Sequence, residues 1–244
     1  MANIISPTGA QDYVHQGGSQ RTEELQQAWV MSSDVTPIFN GDLVCTVQPV
    51  SSALLTGGFG NYVTQGTSQT GGTVAFRGVF RGCEFFNPTA GRMQYQKNWP
   101  GATIAGTSSA TGDVRCYVVT DGSQRFIIQA SSIGIMGSSM IGNAVTTALN
   151  GTLSSATASS AAGNTVTGLS GMQIASSLSV TITSTGVFGQ PFRLVDFLSN
   201  NGPGNPLQGF PGVGSSLGFV NGMDNTTVGQ VVIVEPLNWE SRGY

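Results

Sequence analysis

The chain has 244 residues, of which 9% are charged, 39% hydrophobic and 8% aromatic, with a formal net charge of −3 and a pI near 4.9. That length suits one large β domain or two small ones, and the apolar content is enough for a core. An electrostatic footprint for nucleic acid is excluded, because the arginines are isolated (Arg77 and Arg81 are the closest pair), and no apolar run approaches the ~20 residues of a membrane span.

Residues 1–22 are polar and contain glycine without a sustained period, which reads as an extended arm that packs on another chain. Their start, MANIISPTGAQDY, has neither a basic nor an apolar segment of a secretory signal, so the expectation is a protein made inside a cell. Thr22-Glu23-Glu24 resembles a helix start, yet Ala28 to Met31 would serve equally as a strand. Asn40-Gly41-Asp42, set between β-rich runs, predicts a hairpin or tight turn. LLTGGFGNYVTQGTSQTGG then reads as a loop or ragged hairpin.

Strand-like runs follow at roughly 8–12-residue spacing, the habit of a sandwich or barrel. They are TVAFRGVFRGCEFF, RMQYQKNWP, DVRCYVVTD and RFIIQAS, separated by turns such as Asn87-Pro88, Pro100-Gly101 and Asp121-Gly122. From Ser131 to Ser179 the chain carries no charge and is low in complexity, though its Ser/Thr/Val alternation suits thin strands. VTITSTGVFGQPFRLVDFLS reads as two strands joined at Gly186, a Gly/Pro/Asn loop follows, and VGQVVIVEPLNW closes the series. The predicted fold is all-β: an antiparallel barrel or sandwich with an extended N-terminal arm and long Gly/Ser-rich loops. The arm is set at 1–27 and the β domain at 28–244, either as one body or as a 28–130 barrel followed by a second β portion over 131–244.

Chemistry is thinly provided. His15, the single histidine, lies in the arm with no wall or orienting partner around it. Gly168-Leu169-Ser170-Gly171 misses the spacing of a nucleophile elbow, and no glycine pattern ends in the Lys-Ser/Thr of a phosphate loop. Cys45, Cys83 and Cys116 are odd in number and widely spaced, so they read as buried free thiols and not as a zinc site or a disulfide framework. Asp224-Asn225 reads as a turn rather than a calcium site, and no carboxylate pair stands out. The expectation is therefore no enzyme, no catalytic residue, no metal and no cofactor.

What does stand out is the set of aromatic–arginine pairs: Phe76-Arg77, Phe80-Arg81, Arg92 with Tyr95, Trp99, Arg125-Phe126 and Phe192-Arg193. Alternation puts the aromatic inward and the arginine outward. The plain reading is a core aromatic beside a solubilising charge. The functional one makes Arg77, Arg81, Arg92, Trp99, Arg125 and Arg193 interface residues, since arginine is enriched where proteins meet.

Several of these residues form an ordered pattern: Phe39-Asn40-Gly41-Asp42-Leu43-Val44, Gly78-Val79-Phe80 with Gly82 and Glu84, Gly91-Arg92, Trp99-Pro100-Gly101, Tyr117-Val118-Val119 with Asp121, and Phe126 with Gln129. Gly168 to Gly171, Gln190 to Val195 and the VVIV run at 231–234 continue it. The pattern resembles a group of small structural proteins of tailed bacteriophages that decorate or cement the icosahedral head. The 131–179 stretch and the 200–220 loop are longer and richer in glycine than that group suggests, and the C-terminus lacks a basic or His-containing tail. The resemblance implies a virion protein on the capsid surface, made in the host cytoplasm, whose partner is the major capsid protein, with no nucleic acid and no membrane. Closed symmetry adds the expectation of self-association as a homotrimer. Another virion component, such as a head fibre, tail or host-binding protein, is the alternative; the chain shows no sequence repeat of the kind a fibre would carry.

Overall fold

The computed structural model describes residues 8–15, 25–47, 61–66, 76–87, 90–102, 114–130, 136, 138–149, 163–180, 191–197, 219–220, 223–224, 230–237 and 239. In chain order the strands are β1 (Gln11–His15), β2 (Leu25–Val30), β3 (Ile38–Phe39), β4 (Leu43–Thr46), β5 (Val63–Gln65), β6 (Phe76–Asn87), β7 (Arg92–Gln96) and β8 (Asn98–Trp99). They continue with β9 (Val114–Val119), β10 (Gln124–Gln129), β11 (Ala144–Leu149), β12 (Met172–Val180), β13 (Phe192–Phe197), β14 (Phe219–Val220), β15 (Met223–Asp224) and β16 (Val231–Pro236). The strands pair antiparallel in an all-β fold, and a 3-10 turn spans Ser138–Met140. Among the described residues no helix is long and apolar enough to cross a membrane.

The chain divides into two units. One comprises residues 22–122, 155–170 and 239–244, and its sheet runs β2-β9-β6-β4-β5, with β7 paired to the far end of β6. Trp29 bridges to Tyr62 in parallel and its N–H donates to the Asn61 carbonyl at 2.8 Å, so the two ends of the strand path meet and the sheet curls toward a barrel. Inside lie Ala28, Val30, Ile38, Val44, Val63, Phe80, Cys83, Phe85, Trp99, Val114, Cys116 and Val118. Gly78 on β6 is required by a close approach, because a Cβ there would run into the Val119 carbonyl on β9.

The other unit comprises residues 1–21, 123–154 and 171–238, and its sheet runs β1-β10-β16-β13-β11-β12. Ala130, just past β10, bridges to Ile174 on β12, joining the ends of the five-strand stretch β10-β16-β13-β11-β12. With β1 and the strands off these paths left out, β2-β9-β6-β4-β5 and β10-β16-β13-β11-β12, each numbered within its own unit, both read first, fifth, fourth, second, third, then back to the first by a parallel bridge. The two units thus share one topology while their sequences share no repeat. Phe126 and Phe192, with ring centroids 6.0 Å apart, centre the second core with Ile128, Met172, Ile174, Leu194, Val232 and Val234. Gln230 ties the chain at Met136 to this core, its amide accepting from the Met136 N–H at 2.6 Å and donating to the Met136 carbonyl at 3.1 Å.

Several expectations are corrected by this arrangement. Residues 11–15, read as part of an arm for another chain, are an edge strand with Gln11 opposite Ile127 and Asp12 opposite Phe126. A polar strand pairs through its backbone and leaves no hydrophobic period to be read. The stretch after Glu24 is strand rather than helix, Leu25 to Val30 pairing throughout with β9. Asn40-Gly41-Asp42 is a tight turn but joins no hairpin, since β3 pairs with β8 while β4 pairs with β5 and β6. The chain passes between the units at 21/22, 122/123, 154/155, 170/171 and 238/239, so neither unit is one continuous stretch such as 28–130 or 131–244. The 1–7, 16–24 and 198–218 segments lie outside the described residues, as does Gly186.

Candidate interaction surface

Alternation along β6, β10 and β13 does place each aromatic inward. Phe76, Phe80, Phe126 and Phe192 are buried, and Arg77, Arg81, Arg125 and Arg193 beside them are partly exposed. These arginines, however, are engaged by their own chain. Arg77 donates to Gln26 Oε1 at 2.6 Å and to Asn61 Oδ1 at 3.0 Å. Arg81 donates to Asn40 Oδ1 at 3.1 Å, and the Asn40 amide returns a bond to the Arg81 carbonyl. Arg193, opposite Glu235 in the β13–β16 register, forms an ion pair with it, and Arg125 Nε sits 3.8 Å from its other oxygen. Glu235 itself is only 1% exposed.

Trp99 is corrected outright as a surface anchor. It is fully buried, edge-on to Phe85 at 5.6 Å, with its indole N–H donating to the Asp34 carbonyl at 3.1 Å. Arg92 is exposed at the start of β7. The structure therefore does not gather the six residues into one site.

It gathers others. Residues directly opposite across an antiparallel pair share a face. Glu84 stands opposite Tyr95 on one side and Arg115 on the other, Phe86 stands opposite Met93, and Arg115 stands opposite Trp29. One continuous outer face of β2, β9, β6 and β7 thus carries Trp29, Arg115, Tyr117, Glu84, Tyr95, Phe86 and Met93. Phe86, Met93 and Tyr95 are 42%, 62% and 60% exposed, a cluster of large apolar side chains turned to solvent. The polar groups within it answer one another. The Arg115 guanidinium lies 5.8 Å from the Trp29 ring centroid and 3.8 Å from Glu84 Oε2, while the Tyr117 hydroxyl donates to Glu84 Oε1 at 2.8 Å. That bond to a carboxylate holds the phenol proton and raises the Tyr117 pKa above its ordinary value. Tyr95 lies over Gly82, where a Cβ would meet the Tyr95 hydroxyl at 2.7 Å, and its ring is 6.3 Å from Tyr117.

Chemically, this face can bind and has little with which to react. Aromatic rings with one guanidinium and one carboxylate are the groups that anchor protein–protein contacts. Sequence reasoning missed it because RMQYQ was read for its arginine. The signal was the Met93–Tyr95 alternation beside Phe86, which marks one face of a hairpin.

A second cluster is interior. Gly41 takes φ 97°, which turns the chain so that the Asp42 N–H reaches the Phe39 carbonyl at 2.9 Å. The Asp42 side chain is thereby aimed inward, where Oδ2 accepts from the Phe39 N–H at 2.7 Å and the Gln65 amide at 3.2 Å, and Oδ1 accepts a short bond from the Ser170 hydroxyl. Ser170 directly follows the turn at 164–169, and the two dock by backbone bonds from Ser170 N to Asn40 O at 2.9 Å and from Asn40 N to Gly168 O at 3.0 Å. Burial pushes the Asp42 carboxyl from 3.8 up to about 6, against the bonds from Ser170, Phe39 and Gln65 that favour its charge. Replacing Gly41 by alanine is expected to cost about 1–2 kcal/mol, because a side chain is strained at that φ. Urea titration read by tryptophan fluorescence checks it, since Trp29, Trp99 and Trp239 all lie in this unit; an unchanged midpoint would mean the turn is not held as described.

The thiols Cys45, Cys83 and Cys116 are buried and form no disulfide, as their spacing predicts. Cys83 and Cys116 face each other across β6 and β9, and burial pushes the Cys116 thiol up to about 12 and Cys83 in the same direction, so both are held protonated. No protein-family model matches this sequence, and no curated protein or solved structure matches it.

Proposed function

We propose that this chain is a structural protein of a tailed-phage virion, which decorates the icosahedral capsid and stabilises it by binding the major capsid protein. The observation that carries the reading is the outer face built from Trp29, Arg115, Tyr117, Glu84, Tyr95, Phe86 and Met93. It exposes aromatic and methionine side chains on a paired sheet, and the Arg115–Glu84 ion pair leaves it nearly neutral. A shell component packed beside copies of itself gains from such a surface, because few charges are present to repel. The ordered resemblance from Phe39 to Gln129 supplies the class; the face supplies the means.

Binding to particles is tested by cosedimentation of the purified protein with capsids that lack it. Tyr95→Ala is expected to weaken binding about tenfold or more, as loss of an aromatic anchor does. The Tyr95 ring is mostly exposed, so the fold is expected to survive. Affinity is expected to change little between low and high salt, because contacts of this kind are hardly screened. Steep salt dependence, or full binding by Tyr95→Ala, would sink the reading. A protein recovered only with tails or fibres would move it to another part of the virion.

A further inference from the structure

We propose that β7 is a pairing edge for a second copy of this chain, two β7 strands adding antiparallel about a two-fold axis that passes beside Gln94. Open strand edges are a liability, and folded proteins blunt them by shortness, proline, bulges, inward charges or cover. The other edges of this sheet are managed in that way: β5 has three residues, and β2 is covered by Asn61 and Tyr62. β7 is managed in none of them. Its five residues pair with β6 in unbroken register from Cys83–Gln96 to Asn87–Arg92, it holds no proline, and Arg92 at its end is its sole charge. Among the described residues no strand pairs with its outer side.

The sequence RMQYQ is also complementary to itself. A two-fold axis normal to the sheet keeps both copies' outer faces on the same side, so Gln94 meets Gln94 of the second copy, Met93 meets Tyr95, and Arg92 meets Gln96. No like charges are brought opposite, and the Met–Tyr contacts lie on the face that already exposes Phe86. Pairing would run the two outer faces together into one of twice the width. A five-residue strand pair buries less than the ~1,000 Å² of a stable specific interface, so the contact is weak alone, with a Kd on the order of 100 µM, and gains strength where copies are concentrated. It joins chains in pairs and does not itself build a three-fold ring. Nor does it rest on the capsid reading, since it is measured on the isolated full-length chain without particles.

The register makes the test specific. Directly opposite antiparallel residues have Cα atoms about 4.5–5.5 Å apart, within disulfide reach. Gln94→Cys is expected to give a covalent dimer on mild oxidation, whereas Met93→Cys and Tyr95→Cys are expected to cross-link when mixed with each other and poorly alone. The native thiols are buried and serve as the background. In sedimentation equilibrium of the uncross-linked chain, Gln96→Glu is expected to tighten association and Gln96→Lys to weaken it, each about threefold or more through two symmetric contacts with Arg92. Far-UV circular dichroism confirms that each variant is folded. Absence of a Gln94→Cys dimer, equal cross-linking at all three positions, or identical association by both Gln96 variants overturns the proposal. So does pairing of this edge with a different virion protein while the chain alone stays monomeric.

Discussion

Replacing Arg125 and Arg193 together by methionine is expected to destabilise the unit containing β16 by about 3–5 kcal/mol, the cost of leaving a buried carboxylate without its counter-charges. Glu235 is 1% exposed at the centre of a six-stranded sheet, with the two guanidiniums reaching it from the strands on either side. Methionine keeps much of the packing of the arginine stems, so the loss is electrostatic more than steric. Each single replacement leaves one guanidinium in place and is expected to cost only about 1–2 kcal/mol, because the arginines are themselves 28% and 43% exposed and share the work. The double variant should therefore lose more than the sum of the singles. Adding Glu235→Gln to it removes the stranded charge and is expected to restore much of the stability. Urea denaturation followed by circular dichroism, with hydrogen exchange at the β16 amides as the local readout, decides the matter. Strict additivity of the two singles would show that water reaches Glu235 and already supports its charge.

That triad also shows what a sequence with few charges can and cannot disclose. The outward direction of Arg125 and Arg193 follows from alternation with Phe126 and Phe192, and the strands themselves are legible for the same reason. Their target is not legible, because Glu235 lies far along the chain from both and is brought between them by the strand register. Equally sound alternation points Arg77 and Arg81 toward a partner, yet Gln26, Asn61 and Asn40 are what they meet. Trp99 was misplaced because a two-residue strand has no period from which burial can be inferred. β1 was missed for a related reason, its five residues being held by backbone pairing that any sequence can supply. The common strand order of the two units lies further still from the sequence, since topology repeats in the pairing and not in the residues paired. The interaction face was half legible: Met93 and Tyr95 alternate visibly, but only the β6–β7 register shows that they extend Phe86 and Glu84 instead of covering a core.

Asp42 carries the other large expectation, and it concerns pH. Its carboxyl has an ordinary value of 3.8 in the unfolded chain and about 6 when folded, so the folded state binds this proton more tightly. The sign follows directly: the stabilisation is fully present below pH 3.8 and is lost as pH rises through about 6, a span of about 3 kcal/mol. At neutral pH the charged carboxylate is tolerated only because the Phe39 N–H, the Gln65 amide and the Ser170 hydroxyl all donate to it. Asp42→Asn reproduces the protonated form, its oxygen accepting from Phe39 N–H and Gln65 and its amide donating to the Ser170 oxygen in place of the reversed bond. The variant is expected to be more stable than the parent by about 2–3 kcal/mol at pH 7.5, and within about 0.5 kcal/mol of it near pH 4. Ser170→Ala should do the opposite at pH 7.5, costing about 1–3 kcal/mol by withdrawing a donor from a buried charge, and much less at pH 4. Tryptophan fluorescence during urea titration at both pH values reads the unit that holds all of these residues. A pH-independent difference between Asp42→Asn and the parent would mean that Asp42 does not change its proton between these values.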